Sequence, residues 1–201
     1  MTLLENQDNL VLPERWRSRG YLPHYEAEQQ PQMITFRLHD SLPNIALVKL
    51  AEELKPVAPA KRESERCRRI EQFLDHGIGG CSLSNESIAQ VTEQNLLYFD
   101  RKRYTLHAWV IMPNHVHILL TPAQGETLSR IVHSWKSFTA KRANAILGRQ
   151  GSFWQREYFD RKIRHERHFN DAIVYLHNNP VKAGLCQTPT DWRFSSARFI
   201  C

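Results

Sequence analysis

From Trp109 to Leu120 the chain reads Trp-Val-Ile-Met-Pro-Asn-His-Val-His-Ile-Leu-Leu, two apolar runs hinged on Pro113-Asn114. β-Branched and aromatic residues on both sides of a turn pair predict a hairpin, and so an antiparallel sheet. Side chains alternate along a strand, so His115 and His117 share one face of the second run. Two imidazoles on one face of a rigid strand can hold a divalent cation. Two half-exposed histidines on a sheet face have the same spacing, and the pattern alone leaves both readings open.

The remaining elements follow from periodicity. Met33–His39 alternates as a first strand. After Asp40–Pro43 a helix starts near Asn44, with Ile45, Leu47, Val48, Leu50, Ala51 and Leu54 as its buried face. Pro56 and Pro59 interrupt it, and a charged helical segment resumes over about 60–75. Gly77, Gly79 and Gly80 make a loop, and a further helix starts near Ser84, carrying Ile88, Val91, Leu96, Leu97 and Phe99. Strands over Tyr104–Met112 and His115–Thr121 form the hairpin. A long helix from Leu128 to Leu147 buries Ile131, Val132, Trp135 and Phe138, and Tyr158–Arg164 is a fourth, edge strand. A last helix opens at His165 or Glu166 and is stopped by Pro180.

This order predicts an α+β, ferredoxin-like (RRM-like) antiparallel sheet with helices on one face, one extra inserted helix, and the C-terminal helix across the other face. The first and third strands are then central neighbours, which puts the histidine pair mid-sheet. Residues 1–31 form an extended arm mixing Arg15, Trp16, Arg17, Arg19 and Tyr21. Residues 32–184 are the folded domain, and 185–201 a tail packed on it, anchored by Trp192 and Phe194.

Charge is divided unevenly. Residues 1–100 hold 11 Lys+Arg against 15 Asp+Glu, whereas 101–201 hold 16 against 6, a balance of +10. The half with the histidine pair therefore favours a polyanionic partner. Arg130, Lys136, Arg142, Arg161 and Arg164, with Arg15, Arg17 and Arg19 of the arm, are the candidate phosphate contacts. Four cysteines, Cys67, Cys81, Cys186 and Cys201, show no pairing rhythm and read as free thiols. With no membrane-length apolar run and no signal-peptide start, a cytoplasmic protein, nucleoid-associated when bound to DNA, is expected.

On the last helix Tyr175 and Asn179 are four apart and stack on one face. A phenol beside a cation is a usable nucleophile, and an amide oxygen one turn on can complete the coordination of a hard ion. The same residues also suit a core aromatic and a helix stop before Pro180. Tyr158, flanked by Arg156, Arg161, Lys162 and Arg164, competes as an activated phenol; it has Lys162 at i+4, which cannot ligate while protonated. His165 and His168, at helix spacing, receive no role.

Together, Ala108–Leu120, Phe153-Trp-Gln155, Tyr175-x-x-x-Asn179-Pro-Val-Lys-Ala-Gly-Leu185 and Trp192-Arg-Phe-Ser-Ser196 resemble the REP-associated tyrosine transposases. These belong to the His-hydrophobic-His (HUH), single-tyrosine superfamily of single-strand DNA transposases. The resemblance spans roughly residues 33–198 and is loose over 44–103. It implies a ferredoxin-like nuclease core with a divalent metal, Mg²⁺ or Mn²⁺. It also implies tyrosine attack on single-stranded DNA beside a hairpin, as in REP-like palindromes, leaving a 5′-phosphotyrosine and a free 3′-OH. By matching positions it gives His115 and His117 as metal ligands, Tyr175 as nucleophile and Asn179 as third ligand, in a monomer or homodimer. Two other readings compete: a domesticated hairpin-binding protein with little catalysis, and a zinc hydrolase of small molecules, which the basic half disfavours.

Overall fold

The structure is a computed structural model that describes residues 15–18, 23–26 and 29–200. Its elements run β1 (Arg15–Ser18), β2 (Pro23–Glu26), β3 (Gln32–Arg37), α1 (Asn44–Leu54), α2 (Pro59–Asp75), α3 (Glu86–Tyr98), β4 (Tyr104–Ile111), β5 (His115–Pro122), α4 (Leu128–Ile146), β6 (Phe159–Lys162) and α5 (Glu166–Lys182). β3 to β6 form one antiparallel sheet in the order β4-β5-β3-β6. That is the ferredoxin-like arrangement, with β3 and β5 at the centre and Thr35 directly opposite His117.

The alternation in β5 divides the molecule. Val116, Ile118 and Leu120 point to one face, into a core closed by α3 and α4 through Ile88, Leu96, Ile131, Val132 and Trp135. Each such side chain contributes about 1.5–3 kcal/mol on burial. Inside this layer Trp135 Nε1 donates to the Tyr104 hydroxyl (2.9 Å), which itself donates to the Leu96 carbonyl. His115, His117 and Leu119 point to the other face, where α5 packs through Ala172 and Leu176 on Ala108, Val110 and Met112. The side with polar residues at its centre is therefore the α5 side.

One hydrogen bond holds the end of α2 against the hairpin turn, and one close approach sets the loop after α2 against Ser41. Asn114 Nδ2 donates to the Leu74 carbonyl, 3.2 Å away. Gly79, at φ +107°, passes so close to the backbone of Ser41 that a Cβ there would lie 2.5 Å from its oxygen. Only glycine fits both the torsion and the gap.

Several expectations change. The crossover from β3 to β4 contains three helices rather than one plus one extra, and α3 is capped by Asn85, whose side chain accepts from the amides of Ser87 and Ile88. In α1 only Leu50 and Leu54 are buried; Ile45 and Val48 face outward, because none of the described residues packs over that turn. Leu97 and Phe138 are likewise exposed. Tyr158 precedes the edge strand rather than lying on it. Pro180 does not stop α5. It sits in the last turn, and the helix ends at Gly184 (φ +70°), where Leu185 N bonds the Pro180 carbonyl and Gly184 N that of Val181. A proline this late forfeits one hydrogen bond, whereas glycine supplies the left-handed residue that closes the helix.

In the arm, β1 and β2 pair as an antiparallel ribbon. Arg15 and Arg17 lie on β1, and Arg19 and Tyr21 fall outside the described residues. The tail packs along β4: Ile111 N bonds the Phe194 carbonyl, and Trp192 Nε1 donates to the Ile111 carbonyl. Among the described residues no helix is long and apolar enough to cross a membrane.

Candidate active site

At the centre of the α5 face, His115 and His117 are fully buried, with their Nε2 atoms 2.9 Å apart. Each ring is fixed from behind. His115 Nδ1 lies 2.6 Å from Asn114 Oδ1, and His117 Nδ1 lies 2.7 Å from the Thr35 hydroxyl. An amide oxygen only accepts, so His115 carries its proton on Nδ1 and presents a lone pair at Nε2. Such outer partners orient a metal-binding histidine. Burial drives both pKa values down, that of His117 to about 3, and His117 adds to the depression of His115. Both imidazoles are neutral near pH 7, the form that binds metals.

A carboxylate joins them from α2. Asp75 Oδ1 is 3.9 Å from His115 Nε2, and the ligand atoms of Asp75, His115 and His117 all lie within 4.8 Å of one another. This group can hold a metal ion. Burial raises the Asp75 pKa, while the charges of Lys182 and His76 pull it back. Asn179 is wholly buried from α5, and neither its Oδ1 nor its Nδ2 has a hydrogen-bond partner; Asp75 Oδ1 has none either. Buried polar atoms left unpaired are costly. Two neutral imidazoles with an unsatisfied carboxylate oxygen and amide oxygen beside them form a donor set that fits a divalent cation.

Tyr175 stands at the edge of this group. Its ring meets the His117 ring nearly at right angles, centroids 5.6 Å apart, and Lys182 Nζ lies 5.0 Å from its centroid. Burial first, then the charges of Glu71 and Asp75, push its pKa above the usual phenol range, and the charge of Arg161 opposes that shift. The fold thus gathers Tyr175, Asn179, His115 and His117 from two elements far apart in sequence. Asp75, Glu71 and Lys182 were not singled out by sequence. Only Asp75 carried a signal: an acidic residue closing a helix opposes the helix dipole and is out of place unless it serves something else.

Tyr158 belongs elsewhere. It is buried in the core beneath α4, stacked on His24 at 4.1 Å. Of the candidate DNA contacts, Arg130, Arg142, Arg161 and Arg164 are exposed. Arg161, on β6, is the one whose charge reaches Tyr175 and Glu71. Lys136 is already engaged: its ammonium donates to the carbonyls of Gln155 and Arg156, fastening the chain before β6 to α4, and burial lowers its pKa to about 8. His165 caps α5, its Nδ1 accepting from His168 N at 3.1 Å.

Several known proteins resemble this chain. The family model described as "Transposase IS200 like" matches residues 83–179, the stretch from the start of α3 to Asn179. That stretch is just under half of the chain. The chain is also similar to a REP-associated tyrosine transposase of Escherichia coli (strain K12), 27% identical over 93 residues. The match takes in 46% of this chain and 54% of that relative, so the chain spans about half its length. The solved structure of a REP-associated tyrosine transposase bound to a REP hairpin shares the fold, with a TM-score of 0.58 and 18% identity over 90% of this chain and 84% of that one.

Proposed function

We infer that the protein is a metal-dependent single-stranded DNA nuclease and strand transferase of the transposase kind, cutting beside a DNA hairpin through a 5′-phosphotyrosine link. The observation that carries this reading is the Tyr175 ring 5.6 Å from His117, beside buried donors that lack partners. The E. coli relative and the hairpin-bound structure support the choice of DNA and of a hairpin as partner.

His115, His117, Asp75 and Asn179 would hold the cation, Mg²⁺ or Mn²⁺. When bound, it supplies positive charge that offsets the charge building on the scissile phosphate. Tyr175 Oη forms the new bond to phosphorus, the P–O3′ bond breaks, and the electron pair leaves with O3′, which takes up a proton. The phenol proton is lost to solvent. The phosphodiester energy stays in the Tyr175 ester, so a 3′-OH from another strand can reverse the step and join DNA. Arg161 and Lys182 favour the phenolate and the incoming phosphate. As a ligand, Asp75 would no longer oppose ionisation of Tyr175 with its charge.

The test is incubation with a single-stranded hairpin oligonucleotide and Mn²⁺. A covalent protein–DNA band is expected from the native chain and from Tyr158→Phe, and none from Tyr175→Phe, which should still bind the hairpin. Binding without any adduct would make the chain a hairpin-binding protein instead.

A further inference from the structure

Across the sheet from the metal centre, α3 and α4 leave a groove of about 510 Å³ between them. Its walls carry two exposed aromatic rings, Tyr98 on α3 (64% exposed) and Phe138 on α4 (50%). Each ring has its own cation: Lys102 Nζ lies 4.5 Å from the Tyr98 centroid, and the Arg142 guanidinium 6.0 Å from that of Phe138. Among the described residues no carboxylate lines the groove; Gln94 and Asn95 do. Asn95 is 7% exposed, and its Nδ2 has no hydrogen-bond partner, so the groove wall holds an unsatisfied donor.

We propose that this groove is a second nucleic-acid site, taking an unstacked base of single-stranded DNA. Exposed aromatics interleaved with cations suit a base that needs a π-face and a backbone that needs positive charge. The amides of Gln94 and Asn95 offer donors and acceptors of the type that read a purine edge. The alternative occupant, a protein helix, would find an apolar trough rimmed by Lys102 and Arg142 and no acidic partner to balance them. The groove draws its two cations, Lys102 and Arg142, from the half of the chain that carries a balance of +10. The idea rests on the nuclease reading for its choice of DNA, yet it concerns a surface remote from Tyr175.

Three probes separate the two claims: a short unstructured oligonucleotide, a blunt hairpin, and the same hairpin with a single-stranded tail, each end-labelled for fluorescence anisotropy. Tyr98→Ala combined with Phe138→Ala should weaken binding of the unstructured strand and the tailed hairpin about tenfold. It should leave the blunt hairpin unchanged. Tyr98→Trp should keep full affinity, and a 5-iododeoxyuridine placed in the tail should photocrosslink to Tyr98 or Phe138. Equal binding by the double variant, crosslinks only elsewhere, or a native chain indifferent to single strands would overturn the proposal. So would a native dimer that the double variant splits without losing strand affinity, since the groove would then be a protein interface. An absent Tyr175 adduct, with strand binding still dependent on the two rings, would sink the nuclease and leave the groove standing.

Discussion

His117 and His24 are both buried imidazoles bonded through Nδ1, and they are driven in opposite directions. His117 meets the neutral Thr35 hydroxyl, and burial alone takes its pKa down to about 3. His24 also pays for burial, but Asp160, 2.6 Å from its Nδ1, and Glu157, 3.3 Å from its Nε2, outweigh that cost and raise its pKa. The charge of the partner, rather than depth, decides whether a buried histidine becomes a ligand or one half of an ion pair. One ring is prepared for a cation; the other pins the N-terminal ribbon to the region of β6.

The largest expected effect breaks the first half of this contrast. His117→Ala should lower affinity for Mn²⁺ by about 100-fold or more, and Thr35→Val, which only frees the ring, by about tenfold. Thr35→Ser should restore it. Calorimetric titration of the metal-free protein reads both. If Thr35→Val left affinity untouched, the hydroxyl would not be positioning the ring.

Next comes the pH dependence of the chelator-treated protein. Because the folded pKa values of His115 and His117 lie below the unfolded value of 6.5, their neutral burial costs nothing above that pH. Stability is then lost as pH falls from 6.5 toward 3. Between pH 7.5 and 5.5 the two rings together should remove about 3 kcal/mol. Denaturant titration of the native chain against His115→Asn/His117→Asn should show the flatter slope in the variant. Parallel slopes would mean that the rings titrate normally.

The smallest effect has the opposite sign. The raised pKa of His24 makes its ion pair fully present below about 6.5 and lost as pH rises through the folded value. His24→Gln should therefore cost about 1 kcal/mol at pH 6 and less at pH 9. A cost that grew with pH would reverse the account of this site.

The hairpin was legible because period-two alternation and the turn residues agree, and that alone placed both imidazoles. Tyr175 and Asn179 were legible because helix spacing puts them on one face. Asp75 was not, since its neighbours His115 and His117 come some 40 residues later and a lone carboxylate at a helix end has no period. Ile45, Val48, Leu97 and Phe138 misled for one reason: apolar spacing marks a face but does not say what covers it. Pro180 misled because a proline forfeits the hydrogen bond to the carbonyl four residues back without forcing the helix to end, and Gly184 is what ends it.

The central claim is that Tyr175 lies where a phosphate held beside His115 and His117 can be attacked. It is tested most directly by trapping the protein with hairpin DNA and Mn²⁺, digesting both components, and locating the remaining nucleotide by mass spectrometry. The nucleotide should be found on the phenol of Tyr175. Recovery on Tyr158, or on no tyrosine while the DNA is still cut, would contradict the account.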